Sequence, residues 1–152
     1  MRNKALARRL IGTYDDDNYY NAHNLANIIA KQDLPYNLKY ILGLFNSNLL
    51  NFWYKAHFPN VNINPNDFRQ LPICAINFSI SHQKAQHDKI VSLVEQMLAS
   101  HKSLATAKSP QEKERIENQI KNTDKAIDSL VYELYGLNQK EIKIVEDSLL
   151  KA

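Results

Sequence analysis

The sequence predicts an α+β fold. A small mixed half, residues 1–80, is followed by a coiled-coil-like antiparallel helical hairpin and a short C-terminal helix, residues 81–152. Short apolar runs between clusters of Asp, Asn and Pro favour strands early in the chain. Two heptad patterns in the second half indicate a pair of long helices. The chain has only three glycines and five prolines, which favours long regular elements over loops.

The first elements are predicted to be strands. The run Leu-Ile-Gly-Thr-Tyr at 10–14 is typical of a strand. Asp-Asp-Asp-Asn at 15–18 predicts a tight turn, after which Tyr19 and Tyr20 begin the return. The acidic run lacks the alternating ligands, central glycine and distal glutamate of a calcium loop. Residues 25–30 are a second candidate strand, with a short helix as the alternative.

An apolar helix is predicted after Pro35. Asn37 is placed to cap it, and apolar residues recur at helical spacing through about Ala56. The polar triplet Asn-Ser-Asn at 46–48 interrupts this pattern. Asn-Pro-Asn-Asp-Phe at 64–68 then predicts one helical turn, and Leu-Pro-Ile at 71–73 predicts an extended exit.

The second half predicts a helical hairpin. Both of its seams of apolar or tolerated residues alternate spacings of four and three: Ile90, Val94, Met97, His101 and Leu104, then Ile116, Ile120, Thr123, Ile127, Leu130, Leu134 and Leu137. The two polar members, His101 and Thr123, are interpreted as near-surface positions toward the hairpin tip, with specificity or partner contacts as the alternative. Folding the chain at 108–109 places Ile90 opposite Ile127 and His101 opposite Ile116. Ser109 and Glu112 form a capping box that starts the second helix. Gly136 suits its left-handed end, and Asn138 with Glu141 starts a third helix from Gln139 to about Leu150.

Charge is distributed unevenly. Residues 1–80 hold eight Lys/Arg against five Asp, a surplus of three, whereas residues 81–152 hold eleven of each sign. The densest basic cluster is Arg2, Lys4, Arg8 and Arg9, which suits contact with phosphates. A solvated terminus is the alternative. No apolar run is long enough for a membrane span and no signal-peptide core is present, so we expect a soluble cytoplasmic protein.

Catalytic and metal-binding patterns are scarce. The single cysteine, Cys74, excludes an internal disulfide, and the five histidines show no paired ligand spacing. The three glycines are isolated, so no phosphate-binding loop is predicted. Asn-Pro-Asn-Asp at 64–67 departs from the Asn-Pro-Pro-Tyr of adenine-N6 methyltransferases at its third and fourth positions. We therefore expect no catalytic residue, no metal site and no enzyme activity in this chain alone.

Four stretches together resemble the TaqI-like C-terminal specificity domain of type II and type IIG restriction-modification DNA methyltransferases. They are LIGTYD at 10–15, LKYILGLFNSNLL at 38–50, FRQLPI at 68–73 and IDSLVYELYGL at 127–137. The Leu-Pro-Ile segment and the following QHDKIV at 86–91 are also similar to type I specificity subunits. The order of the stretches is more distinctive than any one of them.

The resemblance implies a target-recognition domain that reads a short double-stranded DNA sequence. A separate adenine-N6 methyltransferase or endonuclease part would act on that DNA, with the target adenine flipped from the duplex. S-adenosylmethionine and Mg are implied only for that catalytic part, which normally precedes this region. The alternative function is a helical spacer or interaction module, in which the hairpin docks a partner subunit or forms an oligomer and DNA is contacted elsewhere.

Base-reading residues of the family lie at variable positions, so candidates are chosen here by chemistry. The predicted phosphate contacts are Arg8, Arg9, Lys39, Lys55 and Arg69. The predicted base contacts are Asn64, Asn66 and Gln70. For each, the alternative is an ordinary polar surface residue. The triplet at 46–48 could also touch DNA, but local bonding and close packing are favoured.

Overall fold

The regular elements are helical throughout the part of the chain that the computed structural model describes, residues 8–17, 20, 25–59 and 63–150. The elements are α1 (Leu38–Asn46), α2 (Asn48–His57), a 3-10 helix (Pro65–Gln70), α3 (Ser81–Thr106), α4 (Pro110–Leu134) and α5 (Gln139–Leu150). Within these ranges no helix combines the length and apolarity that a membrane crossing needs.

The predicted α+β class is wrong, because the described residues contain no strand. Residues 10–14 lack regular structure, and side-chain amides rather than a neighbouring strand bond to their backbone. Asn46 accepts the Gly12 N–H at 2.7 Å and donates to the Gly12 carbonyl at 3.0 Å. Asn51 does the same for Leu10, at 2.7 and 3.2 Å. Two side chains of the helical region thus satisfy backbone groups that a sheet would otherwise pair.

The other predicted strands are not formed either. Residues 26–30 are described without regular structure, and Leu25 and Ile29 are exposed. The Asp-rich run begins with local bonding, since the Asp15 carboxylate accepts the Asp17 N–H at 2.9 Å. The end of that turn and Tyr19 lie outside the described residues, as do Arg2 and Lys4 of the basic cluster.

The apolar helix predicted to extend from Asn37 to Ala56 is two helices that meet at Ser47. Asn37 caps α1 as predicted, accepting the Lys39 N–H at 2.9 Å. The buried Ser47 ends α1 in extended conformation, and its hydroxyl accepts the Leu50 N–H at 3.3 Å to begin α2. The predicted local bonding is confirmed for Ser47, whereas the Asn46 and Asn48 side chains bond to Gly12 and Arg8 in the N-terminal segment.

The hairpin of α3 and α4 is confirmed. Ser109 accepts the Glu112 N–H at 3.1 Å, while Glu112 reaches back to the N–H of Lys108 at 3.4 Å. Methyl groups of Ile90 and Ile127 both lie beside Gly43, as the predicted register requires. Near the tip the seam differs from the prediction, because Ser100 is buried and His101 is exposed.

The predicted end of the hairpin is also confirmed. Gly136 adopts φ +68°, and α5 begins at Gln139. Asn138 accepts the N–H groups of Lys140 and Glu141, while the Glu141 carboxylate accepts the Asn138 N–H at 2.8 Å. The reciprocal bonds form a capping box.

One hydrophobic core joins both predicted halves. Tyr40 and Leu44 of α1 and Leu50 of α2 pack in the same cluster as Ile90 of α3 and Val131 of α4. Close approach of α1 depends on Gly43, where an added Cβ would lie 2.7 Å from the Ile90 Cγ2 atom. The boundary predicted at residue 80 stays a prediction. The shared core fixes α1, α2 and the 3-10 helix against the hairpin, which positions the surface described next.

Candidate nucleic-acid interface

A long stretch of the chain is almost free of carboxylates. Residues 34–87, here called the acid-poor segment, contain four Lys/Arg and a single acidic residue, Asp67. The Asp67 carboxylate accepts a hydrogen bond from the Tyr54 hydroxyl at 3.2 Å and is therefore held against α2. The segment itself therefore carries a net charge of +3, four Lys/Arg less one Asp, which suits contact with a polyanion.

The 3-10 helix Pro65–Gln70 has an anchored side and an exposed side. Asn64 caps it by accepting the Asn66 N–H at 3.0 Å. Phe68 packs edge-on against Phe45 of α1, with ring centroids 5.2 Å apart. Together with the Asp67 bond, this contact fixes the helix on α1 and α2. The short helix is therefore a supported platform rather than a free loop.

The exposed side of this helix carries four of the predicted DNA contacts. Asn64, Asn66, Arg69 and Gln70 are all exposed. The side chains of Asn66, Arg69 and Gln70 make no hydrogen bond or ion pair with any other residue that the structure describes. An amide beside a guanidinium, both without internal partners, can donate to base edges or phosphates.

Lys55 lies on the neighbouring helix. It is half-buried in the last turn of α2, with His57 in the same turn. His57 is exposed and stacks on Trp53, the rings lying 4.0 Å apart at 18°. The stacked pair Trp53 and His57 was not predicted from the sequence, although residues four apart on a helix lie close enough for their rings to stack.

Arg8 occupies a different environment from the one predicted. Its guanidinium donates to both carboxylate oxygens of Asp124 at 2.8 Å and to Asp128 at 3.1 Å. Its Nε donates to the Asn48 side chain at 2.8 Å. Burial lowers the pKa of Arg8, but the hydrogen bond and charge of Asp124 outweigh it and raise the pKa overall. Arg8 therefore links the N-terminal segment to α2 and α4.

Asp128, a buried residue of α4, is the third charged member of this ionic cluster. Its side chain is only 7% exposed, and it accepts the Asn48 N–H at 2.8 Å at the start of α2. Burial raises the pKa of Asp128 to about 6, although the Asn48 bond and the Arg8 charge act in the opposite direction. No local sequence pattern indicates this cluster, because its members lie up to 120 residues apart in the chain.

Arg9 and Lys39 also make internal contacts. Arg9 donates to the Phe58 carbonyl, and its guanidinium lies 5.2 Å from the centre of the Tyr54 ring. Lys39 forms an ion pair with Glu95 at 2.7 Å and lies 5.1 Å from the centre of the Tyr14 ring. The eight predicted contacts thus do not converge on one surface. Four of them, Asn64, Asn66, Arg69 and Gln70, lie on the 3-10 helix or at its start, and Lys55 lies on α2. The side chains of Arg8, Arg9 and Lys39 instead contact other residues of the same chain.

The described residues contain no group of His, Cys, Asp or Glu arranged to hold a metal ion. In comparisons with known proteins, the family model of the TaqI-like C-terminal specificity domain matches residues 3–73. No curated protein and no solved structure matches the chain. The matched range covers the N-terminal segment, α1, α2 and the 3-10 helix, and ends within the extended exit from that helix.

Proposed function

Because residues 3–73 match the family model of the TaqI-like C-terminal specificity domain, we propose that the chain is a target-recognition module of a restriction-modification system. It reads a short double-stranded DNA sequence, and a separate adenine-N6 methyltransferase or endonuclease part acts on that DNA. The observation that carries this proposal is the exposed side of the 3-10 helix, where Asn66, Arg69 and Gln70 have no partners among the described residues.

The proposal divides the candidate contacts by their surroundings. Asn66 and Gln70 are suited to base edges, because an amide can donate and accept at once and so recognise adenine. Arg69 and Lys55 are suited to phosphates. Arg8 and Lys39 each have acidic partners inside the protein, which compete with DNA for the same donors. We therefore assign these two residues to the scaffold.

Selection from a randomised duplex library by the purified 152-residue chain tests the proposal. Enrichment of one short motif is expected, with an affinity that falls as salt increases. Gln70→Ala should relax the preference at one base position by about 1–3 kcal/mol. Arg69→Ala should weaken binding to all sequences alike and reduce the salt slope by about one.

Lys102→Ala is the matched control. Lys102 is exposed near the end of α3 and outside the acid-poor segment, and its replacement removes the same charge as Arg69→Ala. It should leave affinity and sequence preference unchanged. A folded chain that enriches no motif and does not bind duplex at low salt would contradict the proposal and favour the interaction-module hypothesis.

A further inference from the structure

Trp53 and His57 form an aromatic stack at the end of α2. Their ring centroids are 4.0 Å apart and their planes differ by 18°. The His57 Nδ1 atom lies 2.8 Å from the Trp53 carbonyl oxygen, which fixes the orientation of the imidazole. Trp53 packs against the core, whereas His57 is exposed and forms the outer layer of the stack. The pair thus presents a flat, oriented ring to solvent.

The base of this stack is supported by several further contacts. Phe58 packs on Trp53 with ring centroids 5.9 Å apart and on Tyr54 at 5.0 Å. Arg9 donates to the Phe58 carbonyl, which ties the N-terminal segment to the same helix end. An aromatic platform of this kind loses little conformational freedom when a second flat molecule stacks on it.

The composition of the surrounding segment is compatible with a nucleic-acid ligand. Residues 34–66, which include the stack, contain no acidic residue. Lys55, two residues before His57 in α2, lies on the opposite side of the helix and is not part of the stack. Asp67 is already hydrogen-bonded to Tyr54. An exposed and rigidly supported aromatic ring is the feature on which proteins stack unstacked bases, with little dependence on base identity.

Resting on the proposed function, we infer that the Trp53–His57 stack binds the face of an unstacked nucleobase in the recognised DNA. A base inside a continuous duplex shows only its edges, so the ligand is an extruded or unpaired nucleotide. The base stacks on the outer face of His57, whose ring is supported from beneath by Trp53. This site adds contact with a base face to the edge contacts proposed for the 3-10 helix.

Trp53 is the only tryptophan in the chain, so indole fluorescence reports on this stack alone. The probes are one fully paired duplex, the same duplex with a single-thymine bulge, and the same duplex with an abasic bulge. The thymine bulge should change Trp53 emission and bind more tightly than the abasic bulge. His57→Ala should abolish that preference, with a loss of about 5- to 100-fold for the thymine bulge.

Two further variants separate stacking from charge. His57→Phe keeps an aromatic face and should retain the preference for the thymine bulge, whereas His57→Lys should lose it. The opposite pattern would overturn the stacking site and indicate a phosphate contact. Equal affinity for both bulges, with unchanged Trp53 emission and intact salt-dependent binding, would overturn this inference alone. Absence of binding to all three duplexes would overturn the proposed function as well.

Discussion

Asn51 forms both hydrogen bonds that a neighbouring strand would otherwise supply to Leu10. It accepts the Leu10 N–H at 2.7 Å and donates to the Leu10 carbonyl at 3.2 Å. Both residues are fully buried, so water cannot replace the amide when it is removed. The relationship explains how an extended segment is fixed to a helix without a sheet.

Asn51→Ala should therefore destabilise the fold strongly. Buried backbone groups of Leu10 would lose their partners, and we expect a loss of about 2–4 kcal/mol in the free energy of unfolding. Urea denaturation followed by circular dichroism measures it. Asn118→Ala, at an exposed position of α4, is the control and should leave stability unchanged or slightly raised. Equal stability of the two variants would contradict the role given to Asn51.

The helical part of the fold was predictable because its determinants are local. Heptad spacing, the Ser109 cap, the left-handed Gly136 and the Asn138 cap each lie within a few residues of the structure that they specify. The strands were predicted wrongly for the converse reason. Leu10 to Tyr14 has strand-like composition, but its backbone partners are the side chains of Asn46 and Asn51, more than 30 residues away.

The candidate interface likewise contains features that could be predicted from local sequence and features that depend on distant contacts. The exposed turn bearing Arg69 and Gln70 was identified because Asn64 and Pro65 mark its start. Whether a basic residue faces solvent or an internal carboxylate depends on tertiary contacts. Arg8 meets Asp124 and Asp128 from a distant helix, and nothing near it in sequence indicates this. Local sequence patterns therefore identified the exposed 3-10 helix, but they could not show that Arg8 supports the fold instead of contacting DNA.

Arg8 and Arg69 should respond oppositely to substitution. Arg8→Ala leaves the buried Asp128 without its ion pair, and we expect a loss of about 2–4 kcal/mol in stability. Arg69→Ala removes an exposed side chain and should change stability by less than about 0.5 kcal/mol. Urea midpoints of both variants at pH 7 measure the difference. A strongly destabilised Arg69→Ala would show that this residue supports the fold instead of serving only as a contact.

Tyr132 in α4 and Tyr135 at its C-terminal cap can be compared by the same substitution, tyrosine to phenylalanine. The Tyr135 hydroxyl donates to the Pro72 carbonyl at 2.6 Å and accepts the Cys74 N–H at 3.0 Å, which ties the exit segment to the hairpin. Tyr135→Phe should cost about 1–3 kcal/mol. The buried Tyr132 hydroxyl forms no hydrogen bond of normal geometry among the described residues, and only a weak interaction with the Asn48 side chain acts to lower its pKa, so Tyr132→Phe should cost less than Tyr135→Phe. Thermal denaturation of both variants compares them, and a reversed order would contradict these assignments.

Replacing Gly43 or Gly136 by alanine should lower the stability of the fold, for a different reason at each position. At Gly43 the added Cβ would lie 2.7 Å from the Ile90 Cγ2 atom, so overpacking should cost about 1–3 kcal/mol despite the better helix propensity of alanine. At Gly136 the added Cβ would have no atom of the described residues within 4 Å, so the cost comes from the positive φ, about 1 kcal/mol. A double-mutant cycle with Ile90→Ala should show coupling to Gly43→Ala and none to Gly136→Ala, measured by urea denaturation.

Asp128 should make the fold more stable in mild acid. Burial raises the pKa of Asp128 to about 6, so the folded chain takes up this proton at higher pH than the unfolded chain does. The resulting stability is fully present below the unfolded pKa and is lost as pH rises through about 6. Between pH 7 and pH 5 the gain is about 1 kcal/mol.

Asp88 has the opposite shift, since hydrogen bonds from Lys84 and His87 lower its pKa, and it titrates below this window. Urea titrations at pH 5, 6 and 7 should show the gain in the parent chain and not in Asp128→Asn, whereas parallel pH profiles would show that another group carries the dependence.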